Sequence, residues 1–350
     1  MSAFSLQNKR QIASWNAERP ILEPSNANIY EMVQTVCQSH AYEPAICSSE
    51  GHITYRELDL LTYQFASHLH SIGITANAVV ALCFEKSPVA TVALLAVIRS
   101  GGAFVFIDPA HPARHKKHII TLANPSLILH SPLQKNPFDD FDYNSVGIPL
   151  MEITMSTISN LPNASSDPTA FVPSNNGRDL AMLAFTSGSS GTPKGCVINH
   201  SSLASILPVG NKWPFNASSC KRILQFAPYV FGTSLLETFS AFLTGGTVCI
   251  LSDAERMNDL VGAMNRMAVT GAVLPSSLAK VIDPEAIPTV HTLAVGGEPL
   301  TEMLVKKWLN KVRLIQDYGM TENCGILTIN DRLTGEDNPR NVGQSPNGRV

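Results

Sequence analysis

Between Phe185 and Cys196 the sequence reads FTSGSSGTPKGC, with three glycines, five hydroxyl side chains and one lysine in twelve positions. It follows an apolar run, LAMLA from Leu180. A stretch of this kind suits phosphate oxygens, because backbone N–H groups can close around an anion only where no Cβ intervenes. Gly188, Gly191 and Gly195 supply that freedom, Thr186, Ser187, Ser189, Ser190 and Thr192 add hydroxyl donors, and Lys194 adds charge. The pattern is not a Walker A loop: Pro193 precedes Lys194, and Gly195 follows it where Ser or Thr would hold magnesium. Nor is it the G-x-G-x-x-G fingerprint, which disfavours a dinucleotide-dependent oxidoreductase. Composition alone also fits a surface loop without a ligand.

The elements that must position this loop come from a chain of 350 residues, 44% hydrophobic and 15% charged, which is enough to bury a large core. The net charge of −3, with Lys and Arg scattered, gives no footprint for nucleic acid. Seven cysteines form no C-x-x-C pair and no zinc-type spacing, so they are expected to be reduced thiols, mostly half-buried in strands. The polar N-terminus has no signal-peptide core, and no apolar run reaches about 18 residues, so no membrane partner and a cytoplasmic location are expected. In that setting the N-x-S/T triplets at Asn163, Asn199 and Asn216 are chance matches.

Residues 1–30, polar and broken by Pro20 and Pro24, read as a lead-in or linker. IYEMVQTVCQSH has helical spacing, AICSS and HITY read as a hairpin, and Thr54 with Glu57 forms a capping box that opens a helix. AVVALCFE is a strand buried on both faces, PVATVALLAVIRS a helix stopped at Gly101-Gly102, and AFVFIDP the next strand. This order implies a parallel sheet. It continues through LAMLAF, a helix near Leu203, RILQFAP, the helix TSLLETFSAFL ending at Gly245-Gly246, TVCIL, AVLP, TLAVGG and RLIQDYG. Residues 130–178, rich in Pro, Ser, Asn and Asp, read as an irregular connection that can hide strands.

With these elements in place, LAFTSGSSGTPKGCVINH resembles the signature loop of the adenylate-forming superfamily, in particular the adenylation domains of fungal nonribosomal peptide synthetases. ITYRELD, LAVIRSGGAFVFIDP, LAVGGEPL and Tyr318-Gly-Met-Thr-Glu322 resemble four further motifs of that family, in the same order. The resemblance implies an α/β fold of stacked, mostly parallel sheets with flanking helices, the large N-terminal subdomain, covering residues 31–350. It also implies that ATP and Mg serve to activate a carboxylic acid as an acyl adenylate, which passes to a phosphopantetheine thiol on a carrier partner. Condensation and peptidyl carrier domains would be neighbours in the parent synthetase.

Carried over by motif, Thr186, Ser187, Gly188, Ser189, Ser190, Gly191 and Lys194 would embrace the phosphates. Tyr318, Gly319 and Met320 would lie along adenine opposite Gly297, Glu298 and Pro299, Thr321 would bond the α-phosphate, and Glu322 would hold Mg. Met320 replaces the family's usual proline. In amino-acid-activating relatives an Asp pairs with the substrate ammonium at the position of Gly232; a buried ammonium with no counter-charge is expensive. Gly232, Thr233, Leu236, Val273, Ala294, Gly296, Asp317, Gly325 and Ile326 are the matching pocket positions, small and apolar with one carboxylate. They suit an aryl acid, with anthranilate leading and Asp317 an acceptor for its ring amine. The family's C-terminal lysine-bearing subdomain lies beyond the motifs present, so weak adenylation, a non-catalytic binding core or scaffold, and an aryl-CoA ligase remain open readings.

Overall fold

The computed structural model describes residues 5–18, 28–134, 147–162, 176–187, 193–206, 215, 220–323, 325–331, 333–335 and 338–345. The lead-in carries a helix, α1 (Leu6–Glu18), where sequence reading expects a linker. Ser5 Oγ accepts from Asn8 N at 3.1 Å at its start, and Gln, Lys, Arg and Ala sustain it without an apolar stripe to betray it.

Helix α2 (Ile29–Ser39) buries Ile29, Tyr30, Val33 and Cys37, the helical spacing legible in the sequence. The hairpin β1 (Pro44–Ser48) and β2 (Gly51–Thr54) then leads into α3 (Tyr55–Ser71). Its capping box is complete, with Glu57 N on Thr54 Oγ1 at 3.2 Å and Thr54 N on Glu57 Oε2 at 2.8 Å.

Strand β3 (Val79–Cys83) is followed by α4 (Pro88–Arg99), in which every residue is buried. Even Arg99 is fully covered: Nη1 donates to Tyr30 Oη at 2.6 Å and to Asp59 Oδ1 at 2.8 Å, so the charge is paired where it is desolvated. Next come β4 (Ala103–Phe106), α5 (Ala113–Ala123) and β5 (Leu127–His130). The Pro- and Ser-rich connection after them holds β6 (Leu150–Glu152) and the short α6 (Met155–Ser159), which a Thr154/Thr157 capping box starts.

The second half runs β7 (Leu180–Ser187), β8 (Pro193–Asn199), α7 (His200–Ile206), β9 (Arg222–Gln225), α8 (Gly232–Thr244) and β10 (Thr247–Ile250). It continues through α9 (Asp253–Asn258), α10 (Leu260–Arg266), β11 (Gly271–Pro275), α11 (Ser276–Val281), β12 (Thr292–Gly296), α12 (Glu302–Trp308), β13 (Arg313–Met320) and β14 (Gly325–Asn330). A 3-10 turn, Thr321–Asn323, joins the last two strands.

Two sheets result. One has the order β14-β13-β12-β11-β9-β10-β1-β2, the other β6-β5-β3-β4-β7-β8. Pairing is parallel except in three hairpins, β1 with β2, β7 with β8 and β13 with β14. Helices α2, α3 and α4 contribute Val33, Phe65 and Leu95 in turn, and α8 contributes Phe239 and Phe242, to the core cluster that joins the sheets. The described cysteines are free and, Cys196 apart, buried rather than half-buried. None of the described helices is long and apolar enough to cross a membrane.

Candidate functional site

The phosphate-binding candidate sits on the β7–β8 hairpin. Thr186, half-buried near the end of β7, lies opposite exposed Lys194 in the antiparallel register, and Phe185 opposite Gly195. Residues 188–192 and the Ser187 side chain, hence Gly188, Ser189, Ser190 and Gly191, lie outside the described residues. Beside Thr186 is a cavity of about 150 Å³ lined by Phe106, His111, His115, Phe185 and Phe231. Sequence reading misses that wall. The cue was present in the HPARHKKH segment after IDPA, where histidines recur at helical spacing.

The 3-10 turn carrying Thr321 and Glu322 packs on β7, which brings the two sheets' candidate residues to one place. Glu322 comes near enough to β8 that its charge adds to burial in raising the Cys196 thiol. Glu322 is exposed and Thr321 half-buried; Tyr318 and Met320 are 43% and 41% exposed. Gly319 lets β13 and β14 meet closely: a Cβ there would fall 1.7 Å from Gly325 O, so no other residue fits without parting the strands.

Opposite Tyr318 along the sheet edge, the exposed residues Gly297, Glu298 and Pro299 follow β12. Glu298 is already engaged, its carboxylate accepting from Ser277 N at 2.7 Å and Ser277 Oγ at 3.0 Å at the start of α11. Pro299 lines an open cavity of about 870 Å³ with Thr301, Lys306 and Arg340.

The candidate acid pocket is assembled from five elements, α8, β11, β12, β13 and β14. Leu236 of α8, Val273 of β11 and Ala294 of β12 belong to one buried cluster, with Ile326 of β14 packed against it. Val273 and Ala294 are direct neighbours in the parallel ladder. Gly232 opens α8, half-exposed with Thr233, while Leu236, one turn on, is buried. A Cβ on Gly325 would stand 4.0 Å from Gly232 O, so the β13–β14 hairpin faces the start of α8 across two glycines.

Asp317 leans over Gly296, where an added Cβ would lie 2.2 Å from Asp317 Oδ2. Its Oδ1 is buried with no hydrogen-bond partner, and burial pushes its pKa up to about 6. The sign follows from that shift. An unfolded carboxyl releases its proton near pH 4, the folded one near 6, so stability falls as pH rises through this window. Asp317→Asn is therefore expected to gain up to about 3 kcal/mol over the native protein between pH 4 and pH 8. Denaturant titrations at the two pH values check this; a pH-independent difference contradicts it.

These residues can be set beside known proteins. A family model described as AMP-binding enzyme matches residues 33–350. Nonribosomal peptide synthetase 5 of Gibberella zeae is 35% identical over 336 residues, 95% of this chain and 3% of that protein. N-benzoylphenylalaninol synthetase apmA of Penicillium brevicompactum is 36% identical over 342 residues, 97% of this chain and 14% of that protein. The chain thus spans only a small part of the curated relatives it matches. Among solved structures, the N-terminal subdomain of Klebsiella oxytoca NpsA in complex with anthranilyl-AMSN is similar in fold, with TM-score 0.74 and 21% identity over 92% of this chain and 82% of that one. The nonribosomal peptide synthetase FmoA3 in its AMPPNP-bound form has TM-score 0.81 and 20% identity, covering 96% of this chain and 36% of that one.

Proposed function

The chain belongs to the AMP-binding enzyme family, and from that premise we propose that it activates a carboxylic acid with ATP as an acyl adenylate, its preferred acid being an amino-substituted aryl acid such as anthranilate. The acyl group would then pass to the phosphopantetheine thiol of a carrier domain. In the first step a carboxylate oxygen bonds to the α-phosphorus, the α–β phosphoanhydride bond breaks, and pyrophosphate leaves. The reaction asks for neutralised phosphate charge and in-line placement more than for acid–base chemistry.

Lys194 and Thr186, facing each other across the hairpin, would hold the departing phosphates, and Thr321 would bond the α-phosphate from the turn packed on β7. Tyr318, with Met320, offers an exposed face for adenine. Glu322, an exposed carboxylate beside that turn, is an oxygen donor of the type Mg prefers, and bound Mg would supply charge neutralisation at the phosphates.

The observation that carries the substrate reading is the combination of Gly232 with the buried, unpartnered Oδ1 of Asp317, whose carboxyl lies over Gly296. No carboxylate stands at the start of α8 for an α-ammonium, while the pocket floor retains one group able to take a hydrogen bond from a ring amine. NpsA, which shares the fold, is solved with anthranilyl-AMSN, so this architecture accommodates such an acyl group in that protein. Calorimetric titration with anthranilate, benzoate, salicylate and phenylalanine, with and without Mg-ATP, tests the reading. Anthranilate is expected to bind best, and Gly232→Asp to move the preference toward phenylalanine by roughly tenfold or more. Preference for phenylalanine in the native protein would overturn it.

A further inference from the structure

Lys86 follows β3 in the six-stranded sheet, yet its amine is spent on the other sheet. Nζ donates to Gln225 O at 3.1 Å, to Ala227 O at 2.8 Å and to Gln225 Oε1. Residues 225–227 are also held by Glu237 of α8, whose carboxylate accepts from Phe226 N at 3.1 Å, Ala227 N at 3.1 Å and Gln225 Nε2 at 3.2 Å. Lys86 has three acceptors and Glu237 only donors around it, the inventory of an ammonium and a carboxylate. Burial works against both charges, lowering the Lys86 pKa to about 7 and raising that of Glu237 to about 8, and each charge partly offsets the other's shift.

A buried pair of this kind adds little stability over apolar packing, while removing one partner leaves the other exposed to the full desolvation penalty. What the pair holds is specific. Residues 225–227 lead through Pro228 and Tyr229 directly into Gly232, the first residue of α8. Tyr229 is also tied to the six-stranded sheet side: its hydroxyl donates to Ser87 O at 3.2 Å and accepts from Ser87 N at 3.3 Å, and its ring stacks on Phe106 at 4.9 Å. Glu237 is the residue next to Leu236, so the clamp fixes α8 both before its first turn and one turn in.

We propose that Lys86 is a positioning residue for the carboxylic acid: with Glu237 it clamps residues 225–227 and so sets the gap between Gly232 and Gly325, an inference that rests on the function argued above. Lys86 acts through α8. The candidate nucleotide residues sit on β7, β8, β13, the turn at Thr321 and the segment after β12, none of them on α8, so loosening the clamp separates acid affinity from ATP affinity.

The test measures anthranilate and ATP affinities by calorimetry for the native protein, Lys86→Met and Tyr229→Phe, with amide hydrogen exchange over residues 228–236. Lys86→Met is expected to weaken anthranilate about tenfold, leave ATP affinity within about twofold, and speed exchange in the first turn of α8. Tyr229→Phe, which keeps the ring stack, is expected to move the same readouts by about threefold and decides the matter if Lys86→Met does not fold. Acid and ATP affinities falling together, or unchanged acid affinity, would overturn the inference. A native protein that binds none of the acids refutes the function instead, and exchange in α8 then still reads the clamp: unchanged exchange refutes it.

Discussion

Gly296→Val should weaken binding of the carboxylic acid at least about 100-fold while the protein stays folded. Gly296 ends β12 beneath Asp317, and a Cβ there would meet Oδ2 at 2.2 Å and Cγ at 2.4 Å, well inside any real contact. The Asp317 side chain must therefore rotate away. Its Oδ1 is buried in its present place, so rotation displaces the carboxyl from its position over Gly296 while the valine methyls fill that floor. The acid loses both its room and its polar partner. Overpacking of this kind costs about 1–3 kcal/mol of stability, and valine is at home in a parallel strand, so the fold survives. Circular dichroism with calorimetric titration reads both effects, and acid affinity within tenfold of native would place the pocket elsewhere. The double variant Gly296→Val with Asp317→Ala, which removes the clash, is expected to recover stability without recovering selectivity for anthranilate.

The second large effect concerns the hairpin. Lys194→Ala is expected to lower acid-dependent ATP–pyrophosphate exchange by about 10²–10³-fold and to leave acid affinity unchanged. Lys194 is exposed on β8 opposite Thr186, outside the core clusters, so its removal deletes a charge and little packing. The charge would act on phosphate oxygens as the α–β bond breaks, an interaction stronger in the transition state than in the ground state. Lys194→Arg keeps the charge on a wider, planar head and is expected to restore exchange in part. Exchange above half the native value in Lys194→Ala would reduce the glycine-rich segment to a surface loop.

The two results would test different parts of the proposed site. The phosphate part depends on a hairpin of the six-stranded sheet and the turn after β13; the acid part depends on the eight-stranded sheet and α8. Lys86 bonds Gln225 and Ala227 from the other sheet, which is how a change there would reach Gly232.

Much of this was legible along the chain. The continuous apolar runs at Val79–Cys83 and Pro88–Arg99, the Gly-Gly stops and the Thr54–Glu57 capping box each announce their element through local chemistry, and the structure bears them out. Elements without such a cue went unread. Helix α1 has no apolar face, α10 to α12 are too short to show a period, and β8 begins at a proline inside the glycine-rich signature, while the Ser252–Glu255 capping box that opens α9 was a cue left unused. The stretch FTSGSSGTPKGC was visible through its unusual local composition, and DYGMTE through its resemblance to a family motif.

Local chemistry along the chain sets the alternation of apolar strands and helices, because that pattern is written in neighbours two to four positions apart, while the residues with chemistry to offer were legible in the glycine-rich loop and, beyond it, through the family resemblance. Tertiary structure alone decided which of them meet. Asp317 over Gly296, Gly325 facing Gly232, and Lys86 reaching across to Gln225 and Ala227 join residues 21, 93 and 139–141 positions apart. A lone Lys86 in an EKS triplet and a lone Glu237 inside an apolar helix do signal that something must neutralise them. Only packing two sheets against each other puts the partners within hydrogen-bond reach, because the desolvation that makes each charge expensive is itself a product of that packing.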